Sequence, residues 1–266
     1  MDWWHLIDTS RVLVFVLVLT RVSGIVITSP VLSTTSSPMQ FRAMLSFALS
    51  LTIMPSQWFV QVVEPDTLAA FVIMIACELG IGLSMGLGIY VFFAGASLAG
   101  ELIGQVGGLS ASQILDPVTG DQSPLLSQAF NMLAITIFAL IGGLNVLVTS
   151  LFDTFETLPL GTLAFQSEFV YSLVVILEIS FGLALRISAP VLVAVLVTML
   201  VMGLLGKTLP QLNLMSVGFG VNALAMFVVF SLSVGAGLWC FQERIADVFE
   251  LIFSGLHTTI DTGLLD

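Results

Sequence analysis

An all-α, multi-helix integral membrane protein with long broken helices is the fold class this sequence predicts, and three observations carry it. Hydrophobic residues make up 58% of the chain and charged residues 9%, with a mean hydropathy of +1.12; soluble domains are usually about 45–50% apolar. Several apolar runs reach or exceed the roughly 20 residues that cross a bilayer. They are apolar all round, whereas the strands of a membrane barrel would alternate in short segments. No charged block is long enough to form a soluble domain, so residues 1–266 read as one helical membrane domain of about six to eight helical segments.

The opening stretch MDWWHLIDTSRVLVFVLVLTRVSG lacks a basic leader region and breaks its apolar run at Arg21. It is therefore expected to be a retained first helix, from about Arg11 to Ile27, with Trp3 and Trp4 as an interfacial anchor. Pro30, Pro38 and the hydroxyl-rich residues between them end it. A second helix is expected from Phe41 to Met54, with an interface turn around Pro55, Trp58, Glu64, Pro65 and Asp66. The next run, Leu68 to Ala99, is too long for a single perpendicular span, so it tilts, projects or breaks.

Small residues are concentrated in that third run. Gly80, Ser84 and Gly88 form one row at helical spacing, and Gly82 and Gly86 form a second. Such rows let backbones approach closely where lipid supplies no hydrophobic drive for association. Packing within the chain and packing against partner subunits both fit them.

From Gly100 to Pro124 lies a glycine-rich, polar insertion, GELIGQVGGLSASQILDPVTGDQSP. Irregular backbone at membrane depth is tolerated only where protein buries it or where it lines a watery cavity. The insertion is expected to be a loop inside a conduit. A helix from Leu125 to Leu151 follows, with weak points at Asn131, Gly142, Gly143 and Asn145, and then a loop from Phe152 to Glu168. Phe169 to Leu205 is again too long for one span, and Pro190 is expected to kink or divide it. A second polar insertion, Gly206 to Asn213, precedes a last apolar run, Leu214 to Phe241. The tail, residues 242–260, repeats Ile245, Val248, Phe249, Ile252, Phe253, Leu256 and Ile260 at steps of three and four. It reads as an amphipathic helix lying on the bilayer or docked on a partner.

Five charges interrupt or edge the apolar runs: Arg21, Glu78, Glu101, Glu178 and Arg186. Each would cost about 2.5–3.5 kcal/mol facing lipid at mid-depth, so they must be paired, neutralised, snorkelling or turned towards protein or water. Buried pairs that fix helix register are one reading, and a proton relay is the other. The net charge of -11, from 17 acids and six Lys and Arg, argues against a nucleic-acid footprint or a polybasic lipid patch. Solvated acidic loops, or acids at a channel mouth, account for it. Cys77 and Cys240 lie inside apolar runs, and His5 and His257 are isolated, so no disulfide framework or metal motif is read. The GQVGG stretch lacks the spacing of a dinucleotide loop. No nucleophile–base set is present, and neither an enzyme nor a cofactor is expected.

The blocks GELIGQVGGLSASQILDPVTGDQSPLLSQAF, FALIGGLNVLVTSLFDTFETLPLG and GLLGKTLPQLNLMSVGFGVNAL together resemble the FliR family of flagellar type III export-gate proteins. Arg21, Pro30, Pro38, Arg42, Glu78 and Gly82 extend the resemblance over nearly the whole chain. The pattern departs from the family around Gly218–Phe219–Gly220 and Asn222, where members often carry a proline and then a lysine.

The resemblance implies a subunit similar to a fusion of the folds of two partner proteins, of the FliP and FliQ families, with which it forms an export pore. It implies contacts with FlhB- and FlhA-family proteins, unfolded flagellar proteins as cargo, and a place in the bacterial inner membrane at the flagellar basal body. A loop of the family member plugs the closed pore. Mapped onto this sequence, that plug is Gly107, Gly108, Leu109, Ser110, Ala111, Ser112, Gln113, Ile114, Leu115, Asp116 and Pro117, and Pro210, Gln211 and Asn213 join the small-residue rows as subunit-packing positions. Two alternatives stand beside this reading: a related injectisome subunit for effector secretion, and a stand-alone secondary transporter built around the two polar insertions.

Overall fold

The computed structural model describes residues 9–32, 38–57, 60, 62, 65–108, 125–161, 167–208 and 214–257. Seven α-helices lie among them: α1 Thr9–Thr28, α2 Met39–Ile53, α3 Leu68–Val106, α4 Leu125–Leu140, α5 Gly143–Thr157, α6 Ser167–Thr208 and α7 Leu214–His257. A short 3-10 turn, Met54–Gln57, follows α2. The described residues contain no strand. Segments in α1, α3, α6 and α7 are long and apolar enough to cross a bilayer. The chain forms two compact units, one from residues up to Val91, Gly142–Ile176 and Asp247 onward, the other from Phe92–Ile141 and Leu177–Ala246.

In the first unit, α1 buries Val14, Leu17, Val18, Val22, Ile25 and Val26, a stripe at three- and four-residue steps. Phe15 of α1 meets Phe47 of α2 edge-on at 5.7 Å between ring centroids. The α1–α3 contact is backbone against backbone. A methyl group on Gly82 would overlap the Arg21 carbonyl, one on Gly86 would overlap Thr28, and one on Gly24 would sit 2.8 Å from the Leu83 nitrogen. The Gly82–Gly86 row is thus taken up inside the chain. In the other row Gly80 is half-buried, Ser84 is buried and bonds back to the Ile81 carbonyl at 2.7 Å, and Gly88 leaves room for Ile252 of α7.

The second unit is built on aromatic packing. Phe92 stacks on Phe241 at 4.8 Å, Phe93 meets Phe138 at 5.4 Å and Phe241 at 5.7 Å, and Phe130 tilts against Phe230 at 5.3 Å. Glycines again permit the closest approaches. A methyl on Gly95 would lie 2.5 Å from the Ser180 carbonyl oxygen, and one on Gly100 the same distance from that of Leu126.

Several boundaries differ from those the sequence predicts, for identifiable reasons. Helix α3 does not stop at Ala99. It runs to Val106, because Gly100 serves the contact with Leu126 and Ile103 is buried at 1% exposure, holding the extra turn. The first polar insertion therefore leaves the helix at Gly107. The expected single helix from Leu125 to Leu151 is broken at Gly142, whose φ of 81° lies in the left-handed region that favours glycine, and α5 then continues to Thr157. Helix α6 passes through Pro190 without division and continues to Thr208, past the expected start of the second insertion. The tail does not start a helix of its own: residues 242–257 continue α7. Its Val248, Phe249 and Ile252 are buried in the first unit, where Phe249 and Ile252 lie with Ile25, Met85, Ile89 and Leu147 around one small apolar pocket. Trp3, Trp4 and Trp58 fall outside the described residues.

Candidate functional site

Two constellations carry the polar chemistry of the described residues. The first is a buried charge pair in the first unit. Arg21 sits on the packed face of α1 and Glu78 on that of α3, and both side chains are 0% exposed. The guanidinium Nε donates to Glu78 Oε2 at 2.6 Å. Its two terminal nitrogens donate to the carbonyls of Thr154 and Leu158, each at 3.0 Å. These carbonyls close the C-terminal turn of α5, the negative end of its dipole, so Arg21 acts as a cationic cap for another helix. The Phe155 ring lies 4.4 Å from the guanidinium carbon, adding a cation–π contact.

Glu78 is satisfied from the other side, because its Oε1 accepts from the backbone N–H of Gly161 at 2.8 Å. Gly161 has a φ of 82°, a turn conformation that presents this N–H and that glycine adopts at no steric cost. The result is one hydrogen-bonded knot joining α1, α3, the end of α5 and the turn after it. Such burial of opposite charges is tolerated because geometry and extra hydrogen bonds satisfy both groups.

The other three predicted charges are disposed differently. Glu101 is half-buried on the last turns of α3, where its Oε1 accepts from Gln105 Nε2 at 3.0 Å. Glu178 and Arg186 stand exposed on α6. All three belong to the second unit.

The second constellation is the foot of the first polar insertion, in the second unit. Helix α3 ends with Gly107 donating to the Ile103 carbonyl at 2.8 Å and Gly108 to that of Gln105 at 3.3 Å. Gly108 has a φ of 81°, the left-handed glycine that commonly terminates a helix. Asn222 of α7 reaches this end: its Nδ2 lies 3.4 Å from the Val106 carbonyl oxygen and 3.4 Å from that of Gly107. Met226 packs so tightly on Gly107 that a methyl there would overlap its sulfur, and Phe219 flanks Gly108.

Beside this foot is a groove of about 320 Å³ lined by Gly108, Thr198, Met199, Met202, Gly218, Phe219 and Asn222. The Oδ1 of Asn222 is buried and has no hydrogen-bond partner among the described residues. Of the positions expected to form a plug, Gly107 and Gly108 are thus located; Leu109 to Pro117 lie outside the described residues, as do Pro210, Gln211 and Asn213. Sequence reasoning did not single out Asn222, Phe219 or Met226 as neighbours of the insertion. The available signal was a lone amide in an apolar run, since a buried amide needs a carbonyl to bond.

Residues 12–248 match the family model for bacterial export proteins, family 1. The flagellar biosynthetic protein FliR of Escherichia coli K12 is 30% identical over 244 residues, covering 91% of this chain and 89% of the relative. That of Aquifex aeolicus is 28% identical over 236 residues, covering 87% and 89%, and that of Bacillus subtilis is 26% identical over 222 residues, covering 81% and 83%. The match runs from α1 into the last helix and so includes both the charge knot and the foot of the insertion. The chain belongs to the FliR family and is an all-α component of the flagellar protein export apparatus in the bacterial inner membrane.

Proposed function

We propose that the protein is a pore-forming core subunit of the flagellar export gate, assembled with FliP- and FliQ-family proteins, and that residues 107–117 are the plug that closes the pore. The observation that carries this reading is the foot of the insertion. Gly107 and Gly108 leave α3 at a defined C-cap, locked by the Asn222 amide and by Met226 packing, so the residues that follow start from a fixed point. Leu109, Ile114 and Leu115 supply the apolar side chains of a dry constriction, and the flanking Ser110, Ser112 and Gln113 supply polar contacts to neighbouring chains.

The long helices fit the same assembly. Helices α3, α6 and α7 have 39, 42 and 44 residues, so each is roughly 60 Å long against about 30 Å of hydrocarbon. Much of their apolar surface must meet protein. FlhB- and FlhA-family proteins are the further partners of this reading and unfolded flagellar proteins the cargo, and the subunit performs no covalent chemistry.

Deleting Leu109–Leu115 while keeping the glycine foot tests the plug. In membranes containing the assembled partners, the deletion is expected to raise ion or dye leakage several-fold while leaving co-purification with two small membrane proteins intact. Unchanged leakage in an intact assembly would overturn the plug assignment.

A further inference from the structure

Helix α6 carries, within the second unit, a strip suited to neither water nor lipid. Leu177 is 57% exposed, Phe181 55% and Leu185 47%, and Glu178 and Arg186 stand exposed beside them. Glu178, Gly182 and Arg186 follow one another at four-residue steps, which places them on a single ridge of the helix. Gly182 is a notch in that ridge, with nothing within 4 Å of a methyl built there. Neither charge has an ion-pair partner among the described residues.

Water does not suit the strip, because three large apolar side chains in a row would stay exposed. Lipid does not suit it either, because a carboxylate and a guanidinium would face hydrocarbon or pull headgroups and water inwards. The segment directly after it, Ile187 to Gly206, is uncharged and of roughly bilayer-spanning length by itself. A protein surface with opposite charges satisfies both halves of the strip. That surface is not the same strip of a second copy. Two copies inserted in the same direction, related by a two-fold axis along the membrane normal, would set these helices parallel and place Glu178 against Glu178 and Arg186 against Arg186.

We infer that this strip is the docking seam for a helix of a different membrane protein. That helix presents a basic side chain to Glu178 and an acidic one to Arg186, about 12 Å apart along its axis. A bulky apolar side chain of the partner fills the notch at Gly182. The inference rests on the reading of the chain as a subunit of a larger gate and deepens it by naming the complementary chemistry of one partner helix.

The test places the photoreactive benzophenone side chain of p-benzoylphenylalanine at Phe181, in cells producing the complete export apparatus. The expected product is a crosslink to one other membrane protein, mapped to a helix with a basic and an acidic residue about two turns apart. Glu178→Arg is expected to lower the yield about tenfold or more, because it leaves two like charges desolvated together. Reversing the matched basic residue of the partner to Glu restores it. Glu178→Gln, which is neutral and nearly isosteric, is expected to lower the yield several-fold without changing the amount of chain in the membrane.

A crosslink to lipid, to a second copy or to a helix lacking either charge overturns the seam, as does a yield unaffected by both substitutions. If the chain co-purifies with two small membrane proteins but Phe181 does not reach them, the seam is wrong and the gate reading stands. A chain that purifies without such partners and gives no crosslink overturns both.

Discussion

Replacing Arg21 by Met keeps an unbranched side chain in the α1–α3 contact and removes the charge. The structure then leaves Glu78 buried with one remaining donor, the Gly161 N–H, and removes the bonds that the Thr154 and Leu158 carbonyls accept from Arg21, the former keeping its bond from the Leu158 N–H. Removing one partner of a buried ion pair typically costs about 3–5 kcal/mol, against total stabilities of about 5–15 kcal/mol. For a chain of this size that is a fall of roughly 6–20 °C in melting temperature. Arg21→Lys retains a cation but cannot hold the carboxylate and two carbonyls with one planar fork, so a loss of about 1–3 kcal/mol is expected. Glu78→Gln should also destabilise, and the Arg21→Met, Glu78→Gln double variant should lose less than the sum of the two, with a coupling of about 0.5–3 kcal/mol. The assay is thermal melting of the detergent-purified protein followed by size-exclusion chromatography, with export measured in parallel and normalised to protein level. A melting point of Arg21→Met within about 2 °C of the parent, with coupling near zero, would refute the knot as a structural tie. Export lost by Glu78→Gln well beyond the loss of folded protein would instead point to a role of the carboxylate in export itself.

Two further substitutions examine the backbone contacts. Gly86→Ala is expected to destabilise by about 1–3 kcal/mol, because the new methyl overlaps Thr28 across a contact that cannot open without moving α1 from α3; melting temperature reads it, and Gly182→Ala, with open space around it, serves as the neutral comparison in the isolated chain. Asn222→Ala is expected to free the Val106 and Gly107 carbonyls at a cost of about 0.5–2 kcal/mol and to increase leakage of the assembled gate. A variant that leaks no more than the parent would show that the foot need not be anchored for closure.

The membrane class and the helical character were legible because composition and run length respond to the solvent that surrounds a segment, and solvent acts locally. Where helices end was less legible, because glycine has two physical uses that look alike in a sequence. Gly100 reads as a breaker at the edge of a polar stretch, yet it lies inside α3 and provides the closeness to Leu126, whereas Gly142 and Gly108 take up positive φ and do end helices. Pro190 reads as a kink or a division, but α6 carries it on an exposed position and is not divided. The charges Arg21 and Glu78 stand out as misplaced in apolar runs, but no spacing rule joins residues 57 positions apart. The remaining hydrogen-bond partners of the pair are main-chain groups of Thr154, Leu158 and Gly161; the first two any residue could supply, and the positive φ of Gly161 marks a turn but not the carboxylate it serves. The stripe of the tail was visible by its period; that its Val248, Phe249 and Ile252 are buried in the first unit of the same chain is a long-range fact written in no local pattern.

The first unit is assembled from widely separated stretches, and its last contribution comes from residues after Asp247. A ribosome delivers the chain from one end only. At roughly 5–20 residues per second, Ile252 emerges about 8–33 seconds after Gly88, the residue whose bare backbone receives it. Over that interval α1 and α3 can already join their ion pair, but the docking place for α7 stands open in the membrane. The protein therefore cannot mature span by span in order of synthesis. Its earliest helices are the ones that wait longest for their last neighbour.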